Sequence, residues 1–490
     1  MRLSMRFLFS TLLCAIVPGT LSAGEYEQWL QQQVAEYDAY QEAQDKAFSS
    51  FLTKEWHSYQ VDQGLVRDSK PKPVVMPVAP PAPVSPVVVA EPGQTAPPPP
   101  VAVKTVPAPP PVVTPPPAVV PPAPGPKGKA LRLDFYGVPV SLSYDKGMVV
   151  RLGSTLNNKA VSRFWDKLSR VDTTALQEQL AKYRQALALN DWGYAMFLYR
   201  IGDKLYGQRQ NEALLFTWFI LSKEGYDARV GYSGNKILLM LPTKNEVFGL
   251  PFFTYSGKKY YVVNFGRQAS PVKNVFSYDG HYPGADRALS LAVTKLPKIK
   301  KRPVEKALNF SFGGKRHAVN AVYDRNVIRY FDDYPVTELG IYFSSAVSDR
   351  LAYTLLTSLK PLVEGKSEVE AVNILLRFVQ TSFDYKTDGE QFGREKYFFP
   401  EELFYYKYSD CEDRAALFAF LVKSLLGLDV VVLDYPGHIA TAVHFNSRVD
   451  GASVNYKGRR YVISDPTYVN ANAGDVMPKF KSVKPVIVPI

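Results

Sequence analysis

Cys411, His438 and Asp465 are the side chains whose types could do chemistry together: a thiol, an imidazole and a carboxylate, in that order, spaced 27 and 27 residues apart. A thiol attacks a carbonyl carbon as its thiolate, and free Cys ionises near about 8.5, so a working site must favour the anion and supply a base. Cys411 follows Tyr408-Ser409-Asp410 and opens the apolar run Ala415 to Val422, which places it at a helix N-terminus. There the helix's free N–H groups point at the sulfur, and Asp410 or Ser409 can cap the helix. His438 follows the turn pair Pro436-Gly437 and opens the strand-like Ile439 to Val443, where a base can face that helix across a cleft. Asp465 closes the strand Tyr461 to Ser464, and its carboxylate can hold the imidazole tautomer.

Each residue also has an ordinary structural use. A lone Cys is commonly a small buried apolar group, a His a hydrogen-bonded surface residue, and Asp before Pro466 a turn former. The polar neighbours Ser409, Asp410, Glu412, Asp413 and Arg414 set Cys411 apart from a core thiol. His444 lies on the same strand face as His438 but about 20 Å further along, so only one of the two can reach Cys411. The turn before His438 and its register in an internal repeat select it.

The elements that must position these residues are written twice. Residues 130–137 and 307–314 begin two alternating stretches of β character, continuing to Tyr144-Asp145-Lys146 and Tyr323-Asp324-Arg325. Helical stretches follow near 174–206 and 347–383. Then NEALLFTWFILSK from Asn211 matches CEDRAALFAFLVK from Cys411, each followed by a glycine and a Val-rich strand. YSGKKYYVVN, ending at Asn264, matches YKGRRYVISD, ending at Asp465. This register sets Asn211, Asn235 and Asn264 opposite Cys411, His438 and Asp465. Three amides cannot supply a thiolate, a titrating base or a carboxylate, so the first copy is expected to be degenerate. The second copy alone carries an insertion near 386–408, rich in Phe and Tyr, suited either to wall a cleft or to fill core.

Residues from about 305 to 478 resemble the transglutaminase-like superfamily, papain-related thiol enzymes, through SDCEDRAALFAFLVKSLLGL, DYPGHIATAVHF and YVISDPTY. The upstream VEAVNILLRFVQTSFDYKTD is similar to the helix and strand that precede the family's Cys. The resemblance implies an α+β fold of two tandem transglutaminase-like domains, each with a helix layer on an antiparallel sheet. It implies Cys411 as nucleophile, His438 as base and Asp465 as orienter. The Cys411 N–H is then an oxyanion donor, with Gln391 or Tyr385 as candidates for a second. Ala440 and Ala442 stand where many members have an aromatic and an acidic residue after the His, which leaves the substrate unspecified.

The rest of the chain bounds the setting. Arg2 and Arg6, the apolar run Phe7–Val17 and a cleavable Leu21-Ser22-Ala23 read as a signal peptide over 1–23, placing the protein in a bacterial periplasm or envelope. Its removal takes Cys14 and leaves Cys411 as the one cysteine, which excludes a disulfide scaffold. Residues 24–66 read as one helix with an aromatic stripe, packed on its own domain or used for self-association or envelope docking. Residues 67–127 read as a spacer: 23 of the 39 prolines fall within 71–126, a polyproline-II composition able to reach about 170 Å. Residues 128–298 are the degenerate domain and 299–490 the catalytic one. The net charge of +12 permits anionic partners, but no nucleic-acid motif, metal motif, cofactor fingerprint or membrane span is visible. The functions open at this level are a peptidase or amidase cutting a protein or peptide amide, a crosslinking transglutaminase, and a non-catalytic envelope scaffold.

Overall fold

The structure, a computed structural model, describes residues 23–54, 56–66, 72–80, 103–104, 128–263, 265 and 272–490. Residues 1–22, on which most of the expected signal peptide falls, most of the Pro-rich stretch and Asn264 lie outside the described residues. The chain divides into two compact units: Met1–Leu65 with Pro117–Leu291, and Val66–Pro116 with Ala292–Ile490. Both mix α and β structure.

In the first unit an antiparallel sheet runs in the order His57–Gln60, Asn274–Ser277, Arg229–Ser233, Lys236–Leu241, Lys258–Val263, Phe252–Tyr255. The helix Gln210–Lys223 is buried from Glu212 onward. That explains its all-round apolar sequence, since a helix wrapped on every side has no polar face to show. It packs between the sheet and the helix Asp191–Leu205. The hairpin Gly128–Phe135 with Val138–Asp145 packs on the helices of this unit.

The second unit repeats this plan. Its five-stranded antiparallel sheet runs Ser453–Tyr456, Arg459–Ser464, His438–His444, Asp429–Tyr435, Val486–Pro489. In each unit a hairpin follows the buried helix, a second hairpin adds beside it with its later strand innermost, and a last strand closes the other edge. The first unit adds only His57–Gln60 outside. The helix Cys411–Leu421 continues into a π turn, Val422–Leu426. The stretch from Cys411 to its left-handed glycine, Gly427 (φ 69°), is longer than that from Asn211 to Gly225 (φ 87°), and the π turn lies in the longer one. A Cβ would be strained at both helix ends. The long hairpin Pro303–Phe312 with Lys315–Asp324 packs on Asp349–Val363 and Glu368–Thr381.

Three expectations are corrected. The helix predicted over 24–66 spans Ala23–Leu52 and gives way to the strand His57–Gln60. Its last carbonyls are taken by side chains: Thr53 Oγ1 donates to Ser50 O (2.7 Å) and Trp56 Nε1 to Leu52 O (3.0 Å). An edge strand then finds partners in Asn274–Ser277 without any Gly or Pro to announce the change. The stripe divides as well. Phe48, Leu52 and Trp56 are buried in the first unit, Phe48 against Trp165, while Tyr40 is 59% exposed. The Pro-rich segment is also not spacer throughout, because residues 72–80 lie on the second unit, where Ala79 joins its core.

Candidate active site

The second unit brings Cys411, His438 and Asp465 into one buried site. Asp410 is the residue before the Cys411 helix, and its N–H donates to Asp413 Oδ2 (3.2 Å), fixing the helix start. Cys411 is therefore the first helical residue and faces the strand His438–His444. The Ile439 N–H donates to its Sγ at 3.4 Å. One residue earlier, His438 Nε2 lies 2.8 Å from Asp465 Oδ2. A carboxylate only accepts, so Nε2 carries the hydrogen and the neutral ring keeps its lone pair on Nδ1. Nδ1 is buried with no hydrogen-bond partner among the described residues. That is the nitrogen a base needs, adjacent to the residue that already touches the sulfur. Phe480 stacks on the ring at 5.3 Å and 9°.

Asp465 serves as orienter and turn former at once. Its Oδ1 accepts from the Thr467 and Tyr468 N–H groups (2.9 and 3.2 Å), which leaves Oδ2 for the imidazole. Gln380, fully buried, holds this turn in place: its Nε2 donates to Asp465 O and Ala471 O, both at 3.1 Å. Arg414, also fully buried, ties the Cys411 helix to the end of Glu368–Thr381 through Gln380 O (3.0 Å) and Phe383 O (2.6 Å). A guanidinium at carbonyls of a helix C-terminus is favourable, although burial draws its pKa down to about 10.

The thiol environment differs from the expected one. Helix position alone would lower the Cys411 pKa, but burial and then the carboxylates of Glu412 and Asp410 push it well above its ordinary value. The sulfur is fully buried and donates to Glu412 Oε2 at 3.2 Å, so the thiol rests protonated. Beside it Asp388, Asp410 and Glu412 bring carboxylate oxygens within 4.8 Å of one another. Like charges so close cannot all ionise. Burial and Glu412 raise Asp388 to about 8, and burial and Glu412 raise Asp410 well above its usual value. Burial opposes ionisation of Glu412 too, yet Lys72 outweighs it and holds Glu412 near 2. Such a trio could ligate a hard cation. Here the Lys72 ammonium fills it, 2.9 Å from Asp410 Oδ2 and in contact with Glu412 Oε1.

The remaining candidates fall as follows. His444 Nδ1 donates to Arg460 O (2.8 Å), further along the strand. Tyr385 OH donates to Pro73 O (2.7 Å), and Gln391 is half-buried in the short helix Asp388–Phe392. The insertion fills core for the most part: Phe398, Phe399 and Phe404 are each 1% exposed, and Phe399 stacks on Phe331 at 3.9 Å. Gln380, Phe480 and Lys72 escaped the sequence reading, and Arg414 entered it only as a polar neighbour of Cys411. Its place inside an apolar helix was the signal that could have given it a larger role.

In the first unit Asn211 makes the corresponding helix-to-hairpin contact. Its Oδ1 accepts from the Ile237 N–H (2.9 Å) and its Nδ2 donates to Asn235 O (3.0 Å). The hairpin register corrects the expected pairing by one residue. His438 is paired with Tyr435 as the first residue after its turn, and the matching place beside Ser233 belongs to Lys236, with Asn235 in the turn.

Compared with protein-family models, curated proteins and solved structures, the chain matches none.

Proposed function

We propose that this is an exported, envelope-located cysteine hydrolase that cleaves a protein or peptide amide through Cys411, His438 and Asp465, on a transglutaminase-like domain preceded by a degenerate copy. The observation that carries this reading is the His438–Asp465 bond at 2.8 Å on Nε2, with Nδ1 left open beside the residue that bonds the Cys411 sulfur. In the reaction His438 Nδ1 takes the thiol proton, and Sγ bonds to the amide carbon. The C–N bond then breaks, with His438 returning the proton to the leaving amine. Water, deprotonated by the same ring, hydrolyses the thioester and restores the thiol. The Cys411 N–H is the expected oxyanion donor.

Hydrolysis is favoured over crosslinking by the state of the amine in the site. Burial works against the Lys72 charge, but Glu412, Asp410 and Asp388 raise its pKa well above 10.5. A pocket that keeps an amine protonated binds a cation and does not prepare a nucleophile. The fully buried, protonated Cys411 supports a second reading, an inert envelope scaffold. An electrophilic ester probe with mass-spectrometric mapping separates the two. A hydrolase forms a thioester at Cys411 that requires His438. A scaffold leaves Cys411 unmodified, or modified equally in wild type and His438→Ala.

A further inference from the structure

The acidic pocket beside Cys411 is lined by residues 388–412 of the second unit and filled from a stretch of the same unit far earlier in the chain. Asp388 comes from a short helix start, and Asp410 and Glu412 from the first turn of the Cys411 helix. Asp388, Asp410 and Glu412 are each at most 2% exposed, and Asp410 Oδ1 has no hydrogen-bond partner among the described residues. Burying several carboxylates in one place is costly without a cation. The cation present is Lys72, more than 300 positions earlier in the chain. Its ammonium is 2.9 Å from Asp410 and from Glu395, 3.8 Å from Asp388 and bonded to Glu412. The Tyr397 ring lies 5.5 Å from it.

The residues after Lys72 are held like a bound peptide. Tyr385 OH donates to Pro73 O (2.7 Å), and Arg414 Nη1 contacts Met76 Sδ (2.9 Å). The Val469 N–H donates to Pro77 O (2.9 Å), and the Ala79 N–H to Val469 O (2.7 Å), the main-chain pairing of an added strand. Ala79 is buried among Leu433, Tyr435 and Tyr468. The segment thus runs from the first turn of the Cys411 helix to the loop just past Asp465.

We infer that residues 72–79 occupy the substrate cleft as a built-in competitor, and that Asp388, Asp410 and Glu412 form a subsite for the lysine side chain of an extended peptide. This rests on the hydrolase reading for what is bound there, but its test does not use the thiol. The probe is a fluorescent peptide of the sequence Lys72 to Ala79, alongside the same peptide with norleucine for lysine. The protein is the full chain carrying Cys411→Ala, with and without Ala79→Pro, which removes the N–H given to Val469. With Ala79→Pro, the lysine peptide should bind about tenfold tighter than the norleucine peptide, because its ammonium bonds several carboxylates. Without Ala79→Pro, its binding should weaken about tenfold or more, because the tethered copy is at high effective concentration. Equal binding of the two peptides, or binding of neither, overturns the lysine subsite. Binding unaffected by Ala79→Pro overturns the competitor. Hydrogen exchange provides a second measurement in a chain with its backbone pairing unaltered: Lys72→Met should speed exchange at Ala79 and Val469 about tenfold, and unchanged protection overturns the anchoring role of Lys72. A negative ester-probe result with positive peptide binding removes the hydrolase and keeps the peptide site. The reverse pattern keeps the hydrolase and removes the lysine subsite.

Discussion

The two units put the same strand order and the same buried helix to different ends, and the difference is concentrated in one helical turn. In the first unit that turn contains Ala213, Leu214 and Leu215, all buried, with Glu212 as its buried charge, and Asn211 joins it to the hairpin by amide hydrogen bonds. In the second it contains Asp410, Cys411, Glu412, Asp413 and Arg414, each at most 2% exposed. The architecture therefore forms with far less buried charge at this place: Glu212 in the first unit, against Asp410, Glu412, Asp413 and Arg414 in the second. The additional charge buried in the second unit, at a cost in desolvation, is not required by the shared architecture, and this singles the turn out as a candidate site. The lysines make the same point. Lys223 of the first unit bonds the Asp45 carboxylate at 2.6 Å and the Tyr282 hydroxyl at 3.0 Å. Lys72 meets four carboxylates.

The largest expected effect tests whether the charged turn works as a site. His438→Ala should slow thioester formation with an ester probe by about 10²–10⁴, the usual contribution of a positioned base. Cys411→Ala should abolish it, and Asn211→Ala should leave it unchanged. Single-turnover mass spectrometry reads all three. Equal rates for wild type and His438→Ala would reduce the contrast between the units to packing.

The lysines give the next effect. Lys223→Met strands Asp45 in the interior and should destabilise the first unit by about 3–5 kcal/mol, read from its urea unfolding. Lys72→Met should cost the second unit less, because its carboxylates can take up protons in place of the ammonium. A larger loss from Lys72→Met would make Lys72 a structural counter-ion and erase the distinction.

A third effect separates the units by pH. In the first unit burial drives tyrosines such as Tyr206 and Tyr260 further toward neutrality. In the second, burial lifts Glu401 from 4.5 to about 7, against hydrogen bonds from the Asp324 N–H and from Ser348. The folded state then holds that proton more tightly than the unfolded chain. Its contribution is fully present below pH 4.5 and lost as pH rises through 7, a change of about 3 kcal/mol. Urea midpoints of the second unit should fall between pH 4.5 and 7.5, and Glu401→Gln should flatten that slope.

The contrast was partly legible in the sequence. Two hairpins carrying the same Tyr-x-Gly-basic-basic-Tyr step, and two apolar helices ending at glycine, are local patterns, and they led to the repeated sheet. Cys411, His438 and Asp465 were legible for the same reason, each sitting at a helix or strand end that punctuation marks. The hairpin slip was not: Gly234-Asn235 and Pro436-Gly437 are both two-residue turns, and only strand pairing shows that Lys236 takes the place of His438. Lys72 and Gln380 were hidden because their partners lie 338 and 85 residues away. The strand His57–Gln60 was hidden because an edge strand takes its conformation from its partner.

The smallest effect bears on what the silent turn retains. Asn211 is half-buried, and both ends of its amide are bonded to the hairpin at 2.9 and 3.0 Å. Asn211→Ala removes both bonds and leaves the Ile237 N–H to water, so the first unit should lose about 1–2 kcal/mol, read from its unfolding midpoint. Asn211→Cys sharpens the comparison further. Its thiol would stand at a helix start as Cys411 does, but without a ring of buried carboxylates and with the exposed Lys236 in the register position of His438. It should alkylate with an ordinary thiol pKa of about 8.5 and form no thioester with the ester probe. Thioester formation at residue 211 would mean that helix position alone creates the nucleophile, and that His438 and Asp465 are dispensable in the second unit as well.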